Sequence, residues 1–563
     1  MVVIKKAVAG TLLCIALGLA LVRPAQAQFT ANLQTNIISS VTSNWVSALG
    51  YFVGSNTFKD LLLIRNGGVL TNGNGLIGYV VGATNNAVVV SGSGSVWNNR
   101  TNLAVGVFSS GNSLVISNQG KVVTGDGFVL NGIGFIGDQA SSSNNSVLVT
   151  DSGSVWSNQS FTIVGYFASG NSLVISNQGR VVDDQGEIGG NAGSSNNSAL
   201  VIGAGSVWVN RQNLTVGGAG SSNLLTVAGG SVIASSLSIG AGDFSTNNTL
   251  QVNSGSLFVT NATGSGVLTV SPTLLAFIGK GSLILNGGSV TADSLMVING
   301  TNSIISINGG TLSATTVSID NDQDLVIGGA FLFSNATISV NQLVLTNGAS
   351  SVMPFPKGLI QATGTTVSNG QQFVIGSGTN GANYQLLGGV HSFNNGLRIR
   401  DAATLTGCGT VNGSVTIDSN GSVFADCGTL TFTGTVTNNY ALAVDGDTSV
   451  LEFYGTVVNN GGILLYNGGT TNFHGTFINN GIVLNAGWVH VSSVTRVGND
   501  EMISAPSTNG FRYQLQITTS VVSPVWTNSG TAQAGTGSIL TFTDPGGATN
   551  KPTRFYQVDA IWP

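Results

Sequence analysis

Eight segments of this chain open on Asp60, Asn86, Asn112, Asn145, Asn171, Asn197, Asn223 and Asn248, and all but one of the intervals between them are nearly equal. The plainest copies are NSLVISNQGKVV from Asn112 and NSLVISNQGRVV from Asn171; NAVVVSGSGSVW, NSVLVTDSGSVW and NSALVIGAGSVW are variants from Asn86, Asn145 and Asn197. A short LxVG-like stretch follows, as in NLAVG (102–106), FTIVG (161–165) and NLTVG (213–217). Gly, Asn and Ser divide each copy into about three short strands. A repeat of about 26 residues cannot bury a core alone. It can form one coil of a stack in which every strand pairs with its equivalents above and below, about 4.8 Å away.

The inward face is readable. Leu62, Val88, Leu114, Val147, Leu173, Ala199, Leu225 and Leu250 form one column. Ile64, Val90, Ile116, Val149, Ile175, Val201, Val227 and Val252 form another, two residues on. Period-two spacing turns both columns into the coil. The leading Asn residues can stack their amides into a ladder. The one long interval, from Asn112 to Asn145, carries seven extra residues, expected as a loop near 131–143. These features predict an all-β chain built as a parallel β-helix over 60–352, right-handed as parallel crossovers are.

Later the period shortens, first at NGGSV (286–290) and NGGTL (308–312), which lie 22 apart. FTGTVTNN (432–439), FYGTVVNN (453–460) and FHGTFINN (473–480) follow one another at a closer spacing. A solenoid of narrower coils is therefore expected over 353–497, entered at Met353-Pro354-Phe355-Pro356. Residues 28–59 form an N-terminal cap in this reading. Residues 505–563 alternate as in a small β-sandwich-like module, or a cap closing the exposed end.

Composition narrows the function. Charged residues are 7% and Glu occurs only at 187, 452 and 501, so the surface is solvated by Asn, Ser, Thr and Gly and helix is disfavoured. Lys5 and Lys6, the apolar run Ala7–Val22 and Ala25-Gln26-Ala27 read as a signal peptide over 1–27 with cleavage before Gln28. The mature chain would then carry about −8 with no basic stripe, which excludes nucleic acid as a partner, and it holds no further span for a bilayer. The expected location is secreted, extracellular or at the cell surface.

With its SGSVW and NSLVISNQG copies and the stretch LTGCGTVNGSVTIDSNGSVFADCGTLTFTG (405–434), the chain resembles the repeat of autotransporter (type V secretion) passengers and PEP-CTERM-system exoproteins. The resemblance covers about residues 60–495. It implies a β-helical surface or matrix protein and no particular chemistry.

Because some β-helices cleave polysaccharides, acids and bases need placing. Asp183, Asp184 and Glu187 are the densest acidic group, but neighbouring strand residues point to opposite faces. Asp320, Asp322 and Asp324 imitate the start of a calcium loop without its turn Gly or closing Glu. His391, His474 and His490 have no nucleophile or metal spacing about them. No catalytic residue, metal or cofactor is therefore assigned. Trp97, Trp156 and Trp208 stand at one offset from their leading Asn, where the sister copies hold Val123 and Val182. With Val96, Val155 and Val207 taken as inward, the indoles face outward and suit stacking on sugar rings. Cys408 in GCGTV and Cys427 in DCGTL are separated by close to one local coil period, so a disulfide between stacked coils is expected. The reading that results is a structural or adhesive solenoid contacting extracellular polysaccharide or cell-envelope components. The alternative is a β-helix polysaccharide lyase or glycoside hydrolase.

Overall fold

A computed structural model describes residues 29–561, apart from 46–49, 126–131, 243–244, 272, 275–276, 298–303, 321–329, 334–335, 347–352, 486–487, 508, 510, 523 and 550–552. The expected signal segment lies outside the described residues. The chain forms two compact units, one of residues up to Asn261 with Pro272–Ser282, the other of Ala262–Ser271 with Leu283–Pro563. The described residues contain no helix, so none is long and apolar enough to cross a membrane.

The first unit is a β-solenoid. One coil consists of strands Ala87–Ser91, Val96–Asn99 and Leu103–Val105, and the next of Ser113–Ser117, Lys121–Thr124 and Gly134–Ile136. Each strand pairs in parallel with its equivalent, Leu114 beside Val88 and Ile116 beside Val90. Both predicted inward columns are fully buried. The seven extra residues lie between Thr124 and Gly134, earlier than expected, and part of them falls outside the described residues.

Between coils runs the asparagine ladder. Asn112 Oδ1 accepts the Asn86 backbone N–H at 3.0 Å and Asn86 Nδ2 at 3.1 Å. The amide-to-amide bond recurs at Asn145, Asn171, Asn197, Asn223 and Asn248, at 3.0 to 3.2 Å. Every rung is buried, so each bond satisfies groups that would otherwise be orphaned. A glycine at the preceding corner makes the room. Gly137 has φ +76°, and a β-carbon there would stand 2.3 Å from Asn171 Nδ2.

The near-constant period conceals an alternation. Three residues turn the chain between Ser117 and Lys121, but four do so between Ser91 and Val96, Thr150 and Val155, and Ile202 and Val207. The coils with the longer first turn have six residues after the third strand, following Val105, Val164 and Val216. The others have eight, following Ile77, Ile136 and Ile188. From Asp60 to Ser222 the structural repeat is thus two coils. The coils from Asn223 and Asn248 both set their second strand eight residues on, at Ser231 and Ser256, and stack without alternation.

The second unit also stacks in parallel. Strands Thr311–Asp320, Ala336–Thr346, Gly358–Val367, Ala382–Phe393 and Ala403–Asn412 follow one another, with a six-stranded sheet from Phe373–Ile375 to Phe477–Asn479 along another side. Inside, Phe432, Phe453 and Phe473 stack face to face at 5.4 and 5.2 Å. Asn438 donates to Asn459 and Asn459 to Asn479, each at 2.7 Å. From Trp488 onward the strands are antiparallel, in sheets of four and three. Their core of Ile503, Phe511, Tyr513, Leu515, Phe542 and Val558 packs on Ala443 and Leu464, which point out of the solenoid wall. The module sits on the flank, and among the described residues none of its strands pairs with the last coil.

Candidate ligand-contact surface

The three tryptophans are not on the surface. Trp97, Trp156 and Trp208 each have 0% exposure. The extra residue in the first turn moves Trp97 into register with Val122, where equal offsets would place it beside Val123. One residue reverses the parity of the strand. The inward column is therefore Leu70, Trp97, Val122, Trp156, Val181, Trp208. Each indole of the long-turn coils lies over a glycine of the coil before it. A β-carbon at Gly134 would meet Trp156 at 2.4 Å, and one at Gly75 would meet Trp97 at 2.7 Å. The ring nitrogens donate inward, Trp97 to Asn72 Oδ1 at 2.7 Å and Trp208 to Asp183 Oδ2 at 2.8 Å. Sugar stacking by these rings is ruled out by their burial.

The acidic group is likewise taken apart. Asp183 points into the core, where burial pushes its carboxyl up to about 8 against the pull of Thr162 and Trp208. Asp184 stays outside, paired with Arg211 at 3.1 Å. Glu187 stands on the outer wall of the third sheet. His391 is buried, its Nε2 donating to Gly388 O at 2.9 Å and its Nδ1 accepting from Thr365 at 2.8 Å; burial lowers its pKa. His474 is half-exposed, 2.5 Å from Glu452 and stacked on Tyr454, while His490 is exposed. The side chains of Asp320, Asp322 and Asp324 lie outside the described residues. Among the described residues no group of three His, Cys, Asp or Glu could hold a metal. Cys408 and Cys427 form a disulfide with Cα atoms 5.6 Å apart. A cleft of about 380 Å³ beside Met353, Phe355 and Phe373 has Arg400 as its charged lining group and no acid or histidine facing it.

The outer wall of the third sheet in the first unit is different in kind. Its outward column reads Phe52, Leu76, Ala104, Phe135, Ile163, Glu187, Thr215. An apolar outer wall needs a cover, and the corner after each coil's glycine supplies it. Tyr79 meets Phe52 edge-on at 4.9 Å, and Tyr166 lies 5.7 Å from Phe135. Phe52, Ala104 and Ile163 are buried as a result. The cover itself is left open to solvent, since Phe108 and Phe167 are each 40% exposed, against Tyr79 and Tyr166 at 6.2 and 4.5 Å.

Two carboxyls border this strip. Burial pushes Glu187 up to about 7 and Asp138 up to about 6, the latter against a bond from Gln139. Glu187 owes its space to two glycines, because a β-carbon at Gly218 would meet its Oε1 at 2.4 Å and one at Gly190 its Oε2 at 3.1 Å. The two acids are two coils apart, about 10 Å along the stack. The surface therefore offers flat ring faces and hydrogen-bonding carboxyls on a rigid wall. A scan against protein-family models finds no match, and none is found among the curated proteins compared. Sequence reasoning missed this surface although Phe108 and Phe167 share one offset, three residues after Val105 and Val164, because the third coil of that kind holds Ala219 there and the covering Tyr79 and Tyr166 fall in loops of eight and six residues. The available signal was their clustering just after the recurring Val-Gly and Ile-Gly pairs.

Proposed function

We propose that the mature protein is an exported, extracellular or cell-surface β-solenoid with a structural and adhesive role, and that it contacts polysaccharide through the aromatic strip. One observation carries the reading: Phe108 and Phe167 hold ring faces open to solvent on a wall whose other aromatics are spent covering it. Rings fixed by a β-stack bind at little entropic cost, and neighbouring carboxyls accept sugar hydroxyls. Support for export comes from the signal-like segment 1–27, the low charge and the resemblance to exoprotein repeats. No catalytic role is assigned to the strip.

Retention of the mature chain on a panel of insoluble polysaccharides tests the proposal. F108A/F167A should weaken retention about tenfold, roughly 1.4 kcal/mol, with the far-UV spectrum unchanged because both rings are surface groups. Unchanged retention overturns the reading. Release of reducing ends that disappears in Glu187→Gln would replace it with a hydrolase.

A further inference from the structure

The last coil of the second unit consists of Thr470–Phe473, Phe477–Asn479 and Ile482–Asn485. Each strand pairs with the coil before it, and among the described residues nothing pairs with its other edge. The inward side chains there are Thr471, Phe473, Phe477, Asn479 and Val483, by register with Leu451, Phe453, Val457, Asn459 and Ile463. None is fully buried and Val483 is 42% exposed, whereas Ile38, Tyr51 and Val53 of the first unit's opening coil are covered. The phenylalanine stack and the inner asparagine ladder both stop at this open face.

Open β edges are normally protected by charge, proline or a bulge. Residues 470–484 contain no Lys, Arg, Asp, Glu or Pro. The outward column along the middle strand also becomes apolar toward the end, running Thr416, Thr437, Val458, Ile478, the last 45% exposed. An edge without protection and with apolar neighbours is built to be covered.

The geometry points to a second copy of this chain as the cover, joined tail to tail about a two-fold axis. The strand lengths of four, three and four residues decide the arrangement. Rotation about an axis through the three-residue strand lays Phe477–Asn479 antiparallel on its own mate, centred on Ile478. The same rotation exchanges the two four-residue strands, so all three edges are paired at once. The contact is isologous and closes as a dimer. An open head-to-tail series would use the opening coil as its other face, where Ile38, Tyr51 and Val53 are buried and the inward Asn36 and Ser43 are partly exposed.

Sedimentation of the mature protein should give twice the chain mass. Val483→Lys places a cation in the shared face and should return the monomer with the spectrum unchanged. Ile478→Cys should give a covalent dimer under mild oxidation, because directly opposed antiparallel residues lie within disulfide reach. Ser93→Cys, exposed in the first unit, is the control. A monomeric wild type, an open series of oligomers, or crosslinking no greater than the control overturns the proposal. If Val483→Lys fails to fold, the Ile478→Cys comparison decides alone.

Discussion

Asp183 occupies an inward column otherwise filled by Asn72, Asn99, Thr124, Asn158 and Asn210. Its Oδ2 accepts from Thr162 at 2.6 Å and from Trp208 at 2.8 Å, while its Oδ1 and both amide atoms of Asn210 have no partner within the protein. Burial of a carboxylate there outweighs the two bonds it accepts, which is why its pKa rises to about 8. Unfolded, the group would titrate near 3.9. Between those values the folded state holds one proton more than the unfolded chain. The associated stability is complete below about pH 4 and is lost as pH climbs to 8, by about 1.4 kcal/mol per pH unit. Asp183→Asn keeps the oxygen that both donors use and adds an amide facing Asn210. Urea melts should show the variant gaining most at pH 8 and least at pH 4. A wild-type midpoint that rises from pH 5 to 8 would contradict the assignment.

At the scale of the coil, stability comes from alternation between neighbours. An indole in one coil fills the space that a glycine leaves in the coil before it, so Trp156→Ala should open a cavity against Gly134 and cost about 3–5 kcal/mol. A denaturation shift near zero would return Trp156 to the surface. The same alternation explains what was legible. The Leu, Ile and Val columns of the first strand and the asparagine ladder were readable because they stand at fixed distances after the leading Asn, before any turn varies. The tryptophans follow a turn of four residues where their sister coils have three, and the compensating change in the last loop keeps the period nearly constant. That constancy hid the parity of every strand after the turn. Asp183 and Glu187 could not be assigned to opposite walls for the same reason. The flank position of the last module follows from outward Ala443 and Leu464, which resemble any other residues of an alternating strand.

At the scale of the molecule, the two-coil repeat over residues 60–222 makes a prediction about length. Deleting residues 171–222 removes two coils and joins a tryptophan coil to the kind of coil it natively precedes, with Asn223 taking the ladder place of Asn171. That deletion should leave a cooperative β-structured protein. Deleting 171–196 removes one coil, loses Gly186, and sets Trp208 against Thr162 and Trp156. Thermal melts should separate the two, the shorter deletion being the less stable although it removes less. Equal stability would mean that the alternation carries no packing energy. Heritable change in the size of such a molecule is then not gradual. A duplication or loss that respects the odd–even order is tolerated, and one that breaks it is penalised at the seam. Within the alternating stretch the gene can lengthen its product only in steps of two, much as a brick wall in running bond gains height without fault only when each course keeps the offset of the one below.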